Sequence, residues 1–375
     1  MGQEQNRTAD RSKVQSAKRK RLRLILIIVL ALAVAATGLV LLLTRKIDLA
    51  ESVISLPFSA NDSYAGYEKG VVYYKDGSVH ALDTSGTEIW YTDFEGKNVQ
   101  LAASSSLVAV YTPSTLHVFN QKGEELFSRE FLGTISKVVC SDTMILVCRK
   151  TAQGLDISVI NEAGADVNTV DMGAQFAVDF GADDDSQMIW ILTLDTSADT
   201  PVSRISTYTG GSTISGLITI DSQIVTGALF TQAEVYALGS THVMCYDYKG
   251  DPLSSQLIYG WTVEDAQLDK NGKPILVLTP PSKESSNTFS YPMARLIFYG
   301  TNETLLHLPP ECFRVLLGDN RIYGFTPTAV HVYNVDGQED TSYPLGITID
   351  RVGRPYSDSH ILVFSSQECF LVPLP

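Results

Sequence analysis

Val71–Trp90 reads VVYYKDGSVHALDTSGTEIW, and 37 residues further on Val108–Phe127 reads VAVYTPSTLHVFNQKGEELF. Ile322–Gly337, IYGFTPTAVHVYNVDG, follows the second copy closely, and Val235–Gly250, VYALGSTHVMCYDYKG, is a looser one. Each copy is an apolar strand, a short polar turn, an alternating strand and a tight turn. The tight turn is Asp or Asn, two residues, then Gly: Asp83–Gly86, Asn120–Gly123, Asn161–Gly164, Asp247–Gly250 and Asn334–Gly337. The acid or amide side chain bonds backbone two residues on, and glycine accepts the positive φ that closes the hairpin. Tyr208–Gly211 is a degenerate copy, and the unit near residue 300 is read as lacking the glycine. Six intervals separate Gly86 from Gly337, giving about 42 residues per repeat, the length of a four-stranded propeller blade.

The expected fold is therefore all-β: a β-propeller of about eight four-stranded blades, with seven as the alternative count. Candidate second strands follow one another as Val71–Tyr74, Leu107–Tyr111, Met144–Cys148, Met188–Leu194, Ala233–Leu238, Pro274–Leu278, Arg321–Phe325 and His360–Phe364. The last unit ends after its third strand, whereas Ser52–Leu56 is an apolar strand ahead of the first unit with nothing of its own to pair with. It is expected to supply the missing outer strand, closing the ring and covering an exposed edge.

The blade pattern, ending D/N-x-x-G and then x-x-x-W at Asp83–Trp90 with Phe127 in the tryptophan's place, resembles the quinoprotein-type (PQQ-like) propellers. The layout of basic tail, apolar segment and propeller is similar to a group of Gram-positive membrane-anchored propeller proteins. The resemblance implies the fold. It does not extend to the adjacent-cysteine pair that quinone enzymes use near their cofactor, so it implies no dehydrogenase activity, and no cofactor is expected.

Ahead of the repeats, Leu24–Leu43 (LILIIVLALAVAATGLVLLL) runs twenty residues without a charge, enough helix to span about 30 Å of hydrocarbon. Eight Lys/Arg precede it against two acids, which places residues 1–23 in the cytoplasm and the remainder outside. A cleaved signal peptide is the competing reading, but the apolar run continues eight residues past Ala35, too far for a signal core. The expected organisation is a basic tail (1–23), a transmembrane helix (24–43), a linker (44–50) and an extracytoplasmic propeller (51–375), in a single-pass cell-membrane protein. Beyond residue 23 the chain holds 20 basic and 40 acidic residues, a balance that repels phosphate backbones and argues against nucleic acid.

No GxSxG, HExxH, P-loop or dinucleotide fingerprint is present. His80, His117 and His331 share one repeat position, hence separate blades, and are expected to pack blades, not to share a metal ion. Asp183-Asp184-Asp185 lacks calcium-loop spacing and reads as a solvated hairpin tip. Asn61-Asp62-Ser63 and Asn302-Glu303-Thr304 match glycosylation sequons by chance. Five cysteines without a CxxC read as small buried hydrophobes, with no disulfide framework indicated.

Two connections between second and third strands are long, Asp195–Val202 and Thr279–Tyr291 (TPPSKESSNTFSY), and lie on one face. Long loops on a rigid scaffold carry function disproportionately. Phe289, Tyr291, Lys283, Asp195 and Asp199 are accordingly the candidate partner-binding residues, with the loops facing outward and the D/N-x-x-G turns facing the membrane. The expected function is non-enzymatic: a tethered binding or scaffold module for a protein or a cell-envelope polymer. An enzyme (quinone-dependent oxidoreductase or glycan-cleaving propeller) and an envelope sensor are the alternatives. Quinone binding would identify the first, and a carboxylate pair about 5–10 Å apart the second. A sensor would need a cytoplasmic domain that the short tail does not provide.

Overall fold

Each D/N-x-x-G turn closes in the same way. The Asp83 carboxylate accepts N–H bonds from Ser85 (2.8 Å) and Thr87 (2.9 Å), and Asn120, Asn161, Asp247 and Asn334 repeat the pair of bonds two and four residues on. Gly86, Gly123, Gly164, Gly250 and Gly337 all have positive φ. In the unit near residue 300 the glycine is present but one place earlier, as Gly300 at φ +74°, with Thr301 N–H bonding Phe298 O.

In the computed structural model, which describes residues 49–374 except 68–69, 185, 198, 282–289, 319 and 358, the described residues form eight four-stranded antiparallel sheets, and these turns join the third and fourth strands of six of them. The sheets are the blades of an eight-bladed propeller, numbered here from the amino-terminal end. The basic segment 1–23, the expected membrane helix 24–43 and most of the linker lie outside the described residues. Among the described residues no helix is long and apolar enough to cross a membrane. The compact unit begins at Leu49, two residues before the expected boundary, because Leu49–Ser52 forms a helical turn whose Leu49 is buried against Leu345 and Ile349.

The expected closing strand 52–56 lies slightly further on. Ser52 belongs to the helical turn, and Ile54–Ser59 is the outer strand of blade 8, antiparallel to Glu368–Pro373 with Ile54 opposite Leu371. The ring is thus joined by its two chain ends.

Second strands read as unbroken apolar runs because both of their faces are covered. In Leu107–Tyr111, residues 107, 109 and 111 enter the core between blades 2 and 3, while 108 and 110 enter that between blades 1 and 2. In blade 3, Ile145 and Val147 serve one interface and Met144, Leu146 and Cys148 the next. Eight such clusters occupy the eight interfaces between neighbouring blades.

The tryptophan slot is also explained by its neighbour. A Cβ on Gly123 of blade 2 would lie 2.7 Å from the Trp90 ring of blade 1, and one on Gly164 of blade 3 would lie 2.8 Å from the Phe127 ring of blade 2. The same contact crosses the closure, where Ile54 and Leu56 meet Gly86. Glycine is thus required both for φ and for the fit of the next blade. Gly123→Ala is expected to cost about 2 kcal/mol, and Gly210→Ala, at φ +60° with nothing within 4 Å, about 1 kcal/mol. Urea midpoints of the two variants check this, and equal losses would refute the docking role of Gly123.

Candidate interaction face

The turns between second and third strands and the connections between blades share one face of the ring, opposite the D/N-x-x-G turns. The described ends of both long loops lie there. Asp195, at the end of Met188–Asp195, is occupied locally: its carboxylate accepts from Ser197 N (3.0 Å), Ser197 Oγ (2.6 Å) and Arg204 Nη1 (3.0 Å). The Ser197 hydroxyl above all, then the Ser197 amide and Arg204, hold it down at about 2. Asp195 therefore organises its loop, while Asp199 is exposed. Tyr291 is not an exposed anchor. Its ring packs half-buried on the cluster between blades 6 and 7, and its N–H bonds Cys312 O at 2.6 Å. Burial, then the Glu264 charge, raises its phenol pKa. Lys283 and Phe289 lie outside the described residues.

A feature of this face has no counterpart among the residues singled out from the sequence. At four successive blade junctions, from blade 2 through blade 6, a large apolar side chain faces solvent, three of them in the connections themselves and Phe176 as the first residue of the inner strand Phe176–Asp183. They are Leu132 (89 % exposed), Phe176 (57 %), Ile224 (43 %) and Tyr259 (74 %). Glycine with positive φ follows two of them: Gly133, at φ +95°, where a Cβ would be 2.4 Å from Lys150 O, and Gly260, at φ +83°. Among the described residues the other four connections carry no exposed large apolar side chain. The signal was local, an apolar residue beside glycine in Leu132-Gly133 and Tyr259-Gly260, but it acquires meaning only once the connections are placed on one face.

Charged groups near the inner strands fasten blades together. Lys137 of blade 3 meets Asp179 of blade 4 at 2.8 Å, and Arg314 of blade 7 meets Glu264 of blade 6 at 2.7 Å. Asp265 accepts Leu317 N at 2.8 Å. The acidic turns on the opposite face are not simply solvated tips. Asp142 of blade 3 accepts from Ser106 N (2.9 Å) and from the Ser105 hydroxyl of blade 2. Asp184 of blade 4 in turn accepts from Asp142 N (2.7 Å) and Thr143 N (3.0 Å). This corrects the reading of Asp183-Asp184-Asp185 at Asp184, whose carboxylate bridges two blades; Asp185 lies outside the described residues.

The repeated histidines each contact a glutamate eight residues on: His80–Glu88 at 2.7 Å, His117–Glu125 at 3.3 Å and His331–Glu339 at 2.7 Å. Among the described residues no group of three or more His, Cys, Asp or Glu is placed to hold a metal ion. All five cysteines are free, and burial pushes the thiols of Cys312 and Cys369 up to about 12. The D/N-x-x-G face holds two open cavities of about 600 and 520 Å³, the first bordered by Gln267, Asp269 and Lys270 and the second by Asp183, Trp190 and Phe230.

Three solved structures similar to this chain are remote from it in sequence. BamB from Moraxella catarrhalis is 14 % identical with a TM-score of 0.53, over 86 % of this chain and 96 % of that one. The C-terminal WD40 domain of Sif2 is 14 % identical with a TM-score of 0.60, over 86 % and 98 %. Saccharomyces cerevisiae Sqt1 is 10 % identical with a TM-score of 0.58, over 86 % and 99 %. These likenesses show the propeller fold and nothing further. No curated protein sequence matches the chain. Residues 44–368 match the family described as DUF5711, a family of unknown function, and the chain belongs to that family.

Proposed function

We propose that this protein is a non-enzymatic binding module, tethered to the membrane through residues 24–43, that engages a protein partner with the face bearing the blade-to-blade connections. The propeller supplies a rigid ring suited to binding or scaffolding. The observation that carries the reading is the apolar arc of Leu132, Phe176, Ile224 and Tyr259. Isolated exposed apolar residues are ordinary, but four placed at consecutive blade junctions mark an interaction surface, and tyrosine suits such a role because its ring and hydroxyl both make contacts. The uncharged run Leu24–Leu43 and its basic flank support the tether.

A photo-crosslinking residue introduced at Leu132 or Tyr259 of the full-length chain, in its native membranes, is expected to give a discrete protein adduct. The same residue at Ser85, on the D/N-x-x-G face, should give none. Leu132→Glu combined with Tyr259→Glu should reduce capture by the remaining arc positions at least tenfold, since an unpaired charge buried in a protein interface costs several kcal/mol. Equal crosslinking from Ser85, or undiminished capture by the double variant, would reject the arc as the partner site.

A further inference from the structure

We propose that the outer strand of blade 4, Thr213–Ile220, pairs edge to edge with the same strand of a second copy of this chain. Every blade of a propeller ends in a strand whose outer edge carries unpaired N–H and C=O groups, and proteins guard such edges with charge or proline. Seven of the eight outer strands here are guarded in that way. Those of blades 1, 2, 3, 6 and 7 contain charged residues, and those of blades 5 and 8 contain Pro252 and Pro57. Blade 4 presents TISGLITI, eight residues with neither a charge nor a proline. Its Ile214 is 59 % exposed and its Leu217 48 %.

The free ladder dictates what binds it. Only another extended strand satisfies alternate N–H and C=O groups spaced along about 26 Å. Self-pairing selects the occupant. When a strand pairs antiparallel with its own copy across a two-fold axis, residue i faces j and j faces i, so a strand of one net charge meets a strand of the same net charge, and the five charged outer strands here are each net negative. The charged outer strands of this ring are excluded from self-pairing by that rule, and the strands with proline lack a ladder donor. The chain as a whole is acidic, at −14, which repels copies from one another. The uncharged strip in blade 4 is the place on the rim where two copies meet without that repulsion. Threonines at 213 and 219, exposed and β-branched, suit cross-strand pairs beside the two apolar residues. The face of this strand toward blade 5 is already used, since a Cβ on Gly216 would lie 2.4 Å from Tyr248 O. The strand has a bulge at Ser215, since Thr207 and Tyr208 face Gly216 and Ile214, and beyond it Gly216–Ile220 pairs in regular register with blade 4's third strand.

Light scattering coupled to chromatography of the full-length chain in detergent tests the pairing. The wild type is expected at twice the protein mass of one chain. Ile214→Lys with Leu217→Lys, and separately Ile214→Asp with Leu217→Asp, should each halve that mass while keeping the wild-type circular dichroism. An equimolar mixture of the lysine and aspartate variants should restore the doubled mass, because opposite charges then face each other. Thr219→Arg, at another exposed position, gives the same readout should the double variants fail to fold. A monomeric wild type overturns the proposal, as does a dimer that survives the charges. Folded, monomeric lysine and aspartate variants that do not re-pair on mixing overturn it too, and indicate that the strand receives a segment of another protein.

Discussion

A chain lacking residues 49–59 is expected to lose its cooperative fold altogether, whereas a chain beginning at Leu49 should unfold at the wild-type urea midpoint. The deletion removes three buried side chains, Leu49, Leu56 and Phe58, at 1 %, 7 % and 2 % exposure. Losing each costs about 2–5 kcal/mol, and their sum is comparable to the entire stability of an ordinary domain. Two interfaces fail together, because Leu49 belongs to the core between blades 7 and 8, and Leu56 and Phe58 to that between blades 8 and 1. Phe58 also stacks on Tyr73 of blade 1 at 4.8 Å, and the edge of Glu368–Pro373 becomes open to aggregation. Fluorescence-monitored unfolding decides the matter. A truncated chain with an unchanged midpoint would show that the ring holds without its joining strand.

Arg314→Leu is expected to destabilise the protein by about 3 kcal/mol at neutral pH, since it leaves a buried carboxylate unpaired. Glu264 is 10 % exposed, and its pKa is raised, first by burial, with Arg314 opposing that rise. Because the folded chain holds this proton more tightly than the unfolded one, stability drops as pH climbs from the ordinary carboxylate value through the raised one. Without Arg314 the folded pKa moves higher, so the loss in Arg314→Leu should extend further toward neutral pH than in the wild type. Adding Glu264→Gln should recover most of the stability and flatten the pH dependence. Urea midpoints measured across pH for the three proteins test this, and a deficit in Arg314→Leu independent of pH would remove Glu264 as its cause.

The blades were legible because their repeat is written in local chemistry. Asp83, Asn120 and their equivalents need only residues two and four positions away to make their bonds, and second strands such as Leu107–Tyr111 are apolar throughout because both faces are covered. Where the pattern broke, the cause was equally local. Gly300 moved one place along its turn, and Leu49–Ser52, LAES, is composed of residues that favour a helical turn, which displaced the closing strand to Ile54–Ser59.

The candidate site was less legible, since exposure belongs to the assembled ring. Tyr291 looked like an anchor in a polar loop, yet its ring lies against the next blade. Asp195 looked available, yet its own loop occupies it. Leu132 and Tyr259 carry no mark of exposure in the sequence, yet both face solvent in their connections. A single alternating or unbroken apolar pattern says which residues avoid water on a strand. It says little about residues in connections, where one dihedral decides the direction of the side chain.

The pairing of Ile54 with Leu371 also sets a clock on biogenesis. These residues are 317 positions apart, so bringing them together costs on the order of 5 kcal/mol of chain entropy before any contact repays it. The joining strand is among the first parts of the propeller to be synthesised, but its partner, Glu368–Pro373, is among the last. Throughout translation the apolar side of blade 1, with Val71, Tyr73 and Leu82, awaits a neighbour that does not yet exist. Intermediate blades can form in order as they emerge, since each hairpin contact is local. The nascent chain must nevertheless keep one strand and one blade face uncovered until Glu368–Pro373 emerges, making that strand the one that completes the ring.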